Sequence, residues 1–181
     1  NIFGDYEHLF SKSARIFVGY SGGMDSTVLL HLTHKFLAPS IITALHVNHG
    51  LSADADAWEQ NAARQSEELS VNFEAHRVSC FARSNREALA RDVRYGVFEQ
   101  TLAENDILLL AHHADDQAET VLYNLLRGSG STGMSGIPIA RDLGLGRLLR
   151  PLLGVTRSQI KRYATRHQLT WSEDESNLDI S

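Results

Sequence analysis

The 181-residue chain holds a single cysteine, Cys80. One thiol cannot close an internal disulfide or build a multi-cysteine metal site, and such sparing use suits a reducing cytosol. Long apolar runs are missing as well. No stretch approaches the roughly 20 residues that a membrane-spanning helix needs. The N-terminal region carries charge and lacks the continuous apolar stretch of a secretory signal. Together these absences predict a cytoplasmic protein with no membrane partner. No internal repeat or low-complexity stretch is present. Absent too is the Gly-Lys-Ser/Thr that closes a Walker A loop, which disfavours a kinase or P-loop NTPase.

What is present is an ordinary globular composition, 43 % hydrophobic and 22 % charged, sufficient for one domain with its own core. The net charge of −5 is unevenly placed. From Val121 to Trp171 there are eight basic residues (Arg127, Arg141, Arg147, Arg150, Arg157, Lys161, Arg162 and Arg166) against one acid, Asp142. That stretch carries +7 and the remainder −12. A basic segment in an acidic protein is either a polyanion-facing surface or a solvated helix face.

Apolar runs alternate with amphipathic segments along the chain. Strands are predicted over Ala14–Tyr20, Ile41–Val47, Asn72–Ser79, Ile107–Ala111 and Arg147–Leu153. The fourth is apolar enough to be buried on both faces. Helices are predicted over Met24–Leu37, with Val28, Leu29, Leu32 and Phe36 on one face, and over Asp54–Leu69 and Ala114–Arg127. Two capping boxes mark further helix starts, at Ser84 through Glu87 and at Thr156 through Gln159, the latter helix reaching about His167. A glycine-rich connection joins Gly128 to Gly136. The order implies an α/β fold, a doubly wound parallel five-stranded sheet of order 3-2-1-4-5 with right-handed crossovers. Ligands of such sheets bind beyond the carboxyl ends of the strands, where strand order reverses.

The loop after the first strand is Ser21-Gly22-Gly23-Met24-Asp25-Ser26. Two glycines let backbone N–H groups approach an anion, and the following helix adds its N-terminal donors and dipole. Ser21 and Ser26 add hydroxyl donors. Asp25 would repel a phosphate unless a cation lay between them, so it points to Mg²⁺. After the fourth strand comes His112-His113-Ala114-Asp115-Asp116-Gln117-Ala118-Glu119. His112, Asp116 and Glu119 are spaced four and three apart, one imidazole and two carboxylates able to hold Mg²⁺ or take a proton from an amine. An acidic helix N-terminus suited to the dipole is the plainer reading, and Asp115 can be only that. In the expected sheet this loop faces the Ser21 loop across the crevice. In the third helix Glu87, Arg91 and Arg94 share a face, as a salt-bridge ladder or with Arg94 reaching the site.

Ser-Gly-Gly-x-Asp-Ser resembles the PP-loop of N-type ATP pyrophosphatases. The remaining segments narrow the resemblance. His46-Val47-Asn48-His49-Gly50-Leu51, Glu87 through Tyr95, His112 through Thr120, Arg127-Gly128-Ser129-Gly130, Arg150-Pro151-Leu152-Leu153 and Glu173-Asp174-Glu175-Ser176-Asn177 are similar, in this order, to motifs of the N-terminal domains of tRNA(Ile)-lysidine synthetases. The resemblance implies an adenine-nucleotide alpha-hydrolase-like fold and a ligase acting in two steps. First, ATP adenylates the C2 oxygen of the wobble cytidine of a CAU-anticodon tRNA(Ile). Free L-lysine then displaces AMP, giving lysidine. It implies ATP at Ser21, Gly22, Gly23, Met24, Asp25 and Ser26, with His46 beside adenosine. Metal would bind at Asp25 and Asp116, Arg94 would sit against phosphate or adenylate, and His112, Asp116 and Glu119 would position lysine and accept its proton or share the metal. Arg127, Arg150, Arg157 and Arg162 are candidates for tRNA phosphate contacts. Family members continue into C-terminal tRNA-binding domains, so residues 1–181 are expected to be the catalytic domain. Oligomeric state stays open, with a homodimer one option. Two other readings remain. A tRNA-thiolating relative needs two cysteines or a cluster that one cysteine cannot supply, and a nucleotide-binding module without turnover has no use for the His112–Glu119 cluster.

Overall fold

The computed structural model describes residues 2–50, 52, 54–78, 86–128 and 136–172. Twelve elements follow in order: α1 (Glu7–Phe10), β1 (Ile16–Gly19), α2 (Met24–Phe36), β2 (Ile42–Asn48), α3 (Ala55–Glu68), β3 (Asn72–Arg77), α4 (Arg86–Thr101), β4 (Ile107–Leu109), α5 (Ala114–Leu126), β5 (Ala140–Leu143), β6 (Gly146–Leu149) and α6 (Arg157–Arg166). The strands form one six-stranded sheet of order β3-β2-β1-β4-β6-β5. All pairings are parallel except β5 with β6.

The sheet departs from the expected five strands at one edge. The segment foreseen as a strand over Arg147–Leu153 is the short β6, and it is preceded by an antiparallel partner, β5. Their turn pairs Leu143 with Gly146 across Gly144 and Leu145. Gly144 has φ of +57°, as the first central position of a tight hairpin prefers. A Cβ there would also lie 2.5 Å from the Glu99 carbonyl oxygen. The Gly-Leu-Gly at 144–146 was therefore the available signal for the hairpin. Beyond β6, Pro151 has no N–H to extend the ladder.

Alternation along the strands divides the core between the two sheet faces. Ile16, Val18, Ile42, Ala44, Ile107, Leu109 and Leu149 pack with Val28, Leu29 and Leu32 of α2 and with Ile160 and Ala164 of α6. Phe17, Leu45, Leu108, Leu110 and Leu148 pack with Phe98 of α4 and with Leu102 just beyond it. Phe36, expected on the buried face of α2, is the last residue of that helix and is 49 % exposed. The capping box at Thr156 is formed: its hydroxyl accepts from the Gln159 N–H while the Gln159 side chain accepts from the Thr156 N–H. The box expected at Ser84, Cys80, the interior of the Gly128–Gly136 connection and the Glu173–Asn177 motif lie outside the described residues.

The base of β4 is tied by Asp106, which is 1 % exposed. Its carboxylate accepts from Arg15 Nη2 at 2.6 Å, Arg15 Nε at 3.3 Å and the Ala103 N–H at 2.9 Å. Asp106→Ala removes charge-assisted bonds and leaves the Ala103 donor without its carboxylate. The expected cost is about 2–3 kcal/mol, a fall in thermal midpoint of roughly 4–12 °C for a domain of this size, read by calorimetry.

Candidate active site

Chain order around the sheet reverses between β1 and β4, so the loops that follow them separate to either side of a crevice. A cavity of about 620 Å³ opens there, bounded by Tyr20, Ser21, Asp25 and Ser26 from the first loop, His46 to Gly50 from the end of β2, Arg91, Arg94 and Tyr95 from α4, and Ala111, His112 and Asp116 from the β4–α5 junction.

The Ser21–Ser26 loop is pre-shaped for an anion. Gly22 adopts φ of +83°, a conformation that L side chains rarely take. Gly23 is the N-cap of α2 and offers no side chain to its helix. Ser21 Oγ accepts from the Gly23 N–H at 3.3 Å and lies 3.1 Å from Ser26 Oγ, which donates to the Gly23 carbonyl at 3.0 Å. The α2 N-terminus is thus left uncapped by side chains, as phosphate binding requires. Ser172 N–H donates to the Gly22 carbonyl at 2.9 Å, laying the end of the described chain against this loop.

Asp25 follows in the first turn of α2. Burial raises its carboxyl above the usual range, and Asp116 and Asp115 add to the rise, opposed by His113 and Arg157. Its Oδ1 is buried without a hydrogen-bond partner among the described residues. Its Oδ2 lies 3.7 Å from His113 Nε2. His113 was not foreseen as a site residue. It is 6 % exposed and caps α5 reciprocally with Asp116. The His113 N–H donates to Asp116 Oδ2 at 2.7 Å, and Asp116 N–H donates to His113 Nδ1 at 3.4 Å. With Nδ1 accepting, the ring hydrogen sits on Nε2, toward Asp25. The signal was a capping box, His-x-x-Asp, disguised by residues other than the usual Ser/Thr and Glu. Asp115 is spent elsewhere, accepting from the Arg157 N–H at 2.8 Å at the start of α6.

Among the described residues no cluster of three metal-ligating side chains occurs. Mg²⁺ takes one or two carboxylates and completes its shell with phosphate and water. The orphaned Oδ1 of Asp25 and the mutual repulsion of Asp25 and Asp116 fit such a cation.

His46 is 6 % exposed, and its Nδ1–H donates to the Tyr20 carbonyl at 2.8 Å. Burial lowers its pKa, which keeps the ring neutral at the cavity wall. Asn48, also unforeseen, shapes the mouth of the next loop: its side-chain oxygen accepts from the Gly50 N–H at 2.9 Å and its amide donates to Glu59 at 2.8 Å. Arg94 lines the cavity and makes no hydrogen bond or ion pair among the described residues, while Arg91 stacks on the Tyr95 ring at 5.2 Å. Glu119 is exposed and does not line the cavity. Arg127, Arg157 and Arg162 are exposed. Arg150 is not: at 3 % exposure it is turned inward, so its assignment to a tRNA-facing surface is corrected. It follows β6 directly, and its backbone N–H bonds Ile139.

The chain is 49 % identical over 165 residues to a tRNA(Ile)-lysidine synthase of Pseudomonas fluorescens (strain Pf0-1), covering 90 % of this chain and 37 % of that protein. It is 42 % identical to the protein of that name from Coxiella burnetii (strain RSA 493 / Nine Mile phase I), covering 94 % and 39 %. The chain thus spans about two fifths of the length of these curated relatives. In fold it is similar to the U34-tRNA thiolase NcsA from Methanococcus maripaludis, with a TM-score of 0.68, 16 % identity and coverage of 95 % and 66 %. The NMN synthetase from Francisella tularensis superposes with a TM-score of 0.62 at 16 % identity, covering 99 % and 78 %. A family model described as PP-loop domain matches residues 2–181. With that match across the chain, and with Ser21–Ser26 opening α2 at the switch point of the sheet, the chain belongs to the PP-loop domain family.

Proposed function

We propose that this chain is the adenylating domain of a tRNA(Ile)-lysidine synthase, activating the C2 oxygen of the wobble cytidine of a CAU-anticodon tRNA(Ile) with ATP and passing it to free L-lysine. One observation carries the reading: the Ser21–Ser26 loop and the His112–Asp116 loop, one suited to phosphate and the other to an amine, line the same cavity. The names of relatives at 42–49 % identity supply the substrates.

ATP lies with its phosphates over the Ser21–Ser26 loop, where backbone amides and the α2 N-terminus counter the charge of the leaving pyrophosphate. Its adenosine lies toward His46 and the end of β2. The C2 oxygen attacks the α-phosphorus and pyrophosphate departs. The lysine ε-amine then attacks C2, the bond to the AMP oxygen breaks, and the amine loses a proton. Asp116, at the cavity wall, is the carboxylate placed to receive that proton. Arg94, which pairs with no carboxylate among the described residues, faces the adenylate charge. Asp25 would hold Mg²⁺, which would supply charge neutralisation for the pyrophosphate. The exposed Arg127, Arg157 and Arg162 contact the anticodon-stem phosphates.

Pyrophosphate release from ATP should require both the tRNA transcript and an intact CAU anticodon; release indifferent to tRNA would refute the reading. Asp25→Asn should abolish tRNA-dependent exchange of pyrophosphate into ATP. Because burial makes the Asp25 charge costly, the same change should raise the thermal midpoint by roughly 2–4 °C, the size expected for ~1 kcal/mol. Mg²⁺ should stabilise the unsubstituted protein and not Asp25→Asn. Reversing Arg157 and Arg162 to Glu should weaken tRNA binding and lower its salt slope by about two; an unchanged slope removes them from the interface.

A further inference from the structure

The Arg150 guanidinium occupies a closed site between the carboxyl ends of β4 and β6. Its Nε donates to His112 Nδ1 at 3.3 Å, Nη1 donates to the Pro138 carbonyl at 2.7 Å, and Nη2 donates to the Tyr95 hydroxyl at 3.2 Å. Tyr95 is in turn flanked by the guanidinium groups of Arg91 and Arg141, each 5.2 Å from its ring centre. The side chain is therefore anchored at three points, with no freedom to follow a phosphate.

A guanidinium has five donors, no acceptor, and does not lose its proton in a protein. The His112 nitrogen that faces it must present a lone pair. A neutral imidazole has one donor nitrogen and one acceptor nitrogen, so fixing Nδ1 as the acceptor puts the hydrogen on Nε2. Burial does most to lower the His112 pKa; among the groups around the ring Arg150, Arg91 and Arg94 lower it further and Asp116 opposes them, so it falls to about 4.

We infer that Arg150 is a positioning residue that locks His112 in the Nε2–H tautomer, making His112 a hydrogen-bond donor in the cavity rather than an acceptor of the lysine proton. The inference deepens the adenylation reading and rests on it for the identity of the oxygen that receives the bond, a phosphate or C2 oxygen of the adenylated cytidine. A fixed donor aimed at oxygen that gains negative charge lowers the barrier without reorganisation. Proton acceptance then falls to Asp116, whose carboxylate needs no tautomer. The two histidines between β4 and α5 thus divide the work: His112 donates into the cavity, and His113 donates toward Asp25.

The test combines a spectrum with kinetics. Protein labelled with ¹⁵N-histidine, with His112 assigned by loss of its signals in His112→Gln, should show at neutral pH an unprotonated Nδ1 and a protonated Nε2. Arg150→Met should mix the tautomers and lower kcat of tRNA-dependent pyrophosphate release by about 10- to 100-fold, toward the effect of losing one fixed donor, with KM for ATP changed less than about threefold. Arg150→Lys should recover part of the kcat. An Nδ1–H ring in the unsubstituted protein overturns the inference outright, whether or not Arg150→Met folds. Mixed tautomers with an unchanged kcat overturn the role in the reaction. If the unsubstituted protein releases no pyrophosphate with tRNA, the adenylation reading falls, and the spectrum still decides the tautomer.

Discussion

The parallel pairing of β1 with both β2 and β4 is the constraint on which the site depends. Ile16 stands in register with Ile42 on one side and Ile107 on the other, and the chain must leave β1 and β4 at the same end of the sheet. Because the connections run to opposite edges, the two departing loops border a cavity between them. The apolar strands buy this void by being wholly buried, with Ile16, Phe17, Val18, Leu108 and Leu109 at 0 % exposure. Asp106 and Arg15 at the far end of the same strands fix their alignment, so the loops are presented by a frame that does not slide.

To that void the fold brings the N-termini of α2 and α5, and α6 begins beside them with its Arg157 N–H on Asp115; the dipoles of all three would favour carboxylates or phosphates. The acids are shared out among them. Asp116 serves α5 and Asp115 serves α6. Asp25 is in the first turn of α2 but is desolvated and left with an unpartnered oxygen. Arg157 begins α6, where a cation opposes the helix dipole, yet its charge favours ionised Asp25. A local cost at α6 thus supports a charge on α2 that burial alone would suppress.

Much of this was legible in the sequence because it was local. The Ser-Gly-Gly-x-Asp-Ser loop stands out because two glycines, a carboxylate and two hydroxyls meet between a strand and a helix, and Thr156 with Gln159 forms the box its spacing predicts. The Ile107–Ala111 run, apolar enough to be buried on both faces, holds the central strand β4 with every strand residue buried. What the sequence concealed was direction. Nothing in the spacing of Arg150 separates it from Arg147 or Arg157, yet one turns into the protein and the others out. Glu119 fits its motif by spacing, but helical geometry carries it away from the cavity lining that holds Asp116. His113 was masked by its neighbour, because adjacent histidines look redundant until the helix start is fixed between them.

The basic stretch from Val121 to Trp171 is consequently not one surface. Arg150 is buried and bonds His112 and Tyr95, while Arg127, Arg141, Arg147, Arg157, Lys161, Arg162 and Arg166 are exposed. A run of charge that reads as a single polyanion-binding patch is divided by the fold into one inner residue that shapes the cavity and an outer set that can meet phosphate. The inner position favours arginine for a physical reason. A lysine at Arg150 could supply the charge, but it could not bond an imidazole, a carbonyl and a phenol at once in the fixed planar fork the site requires. The outer set has no such requirement, and there Lys161 sits beside Arg162 on equal terms. Residue type thus separates the two roles where net charge alone does not.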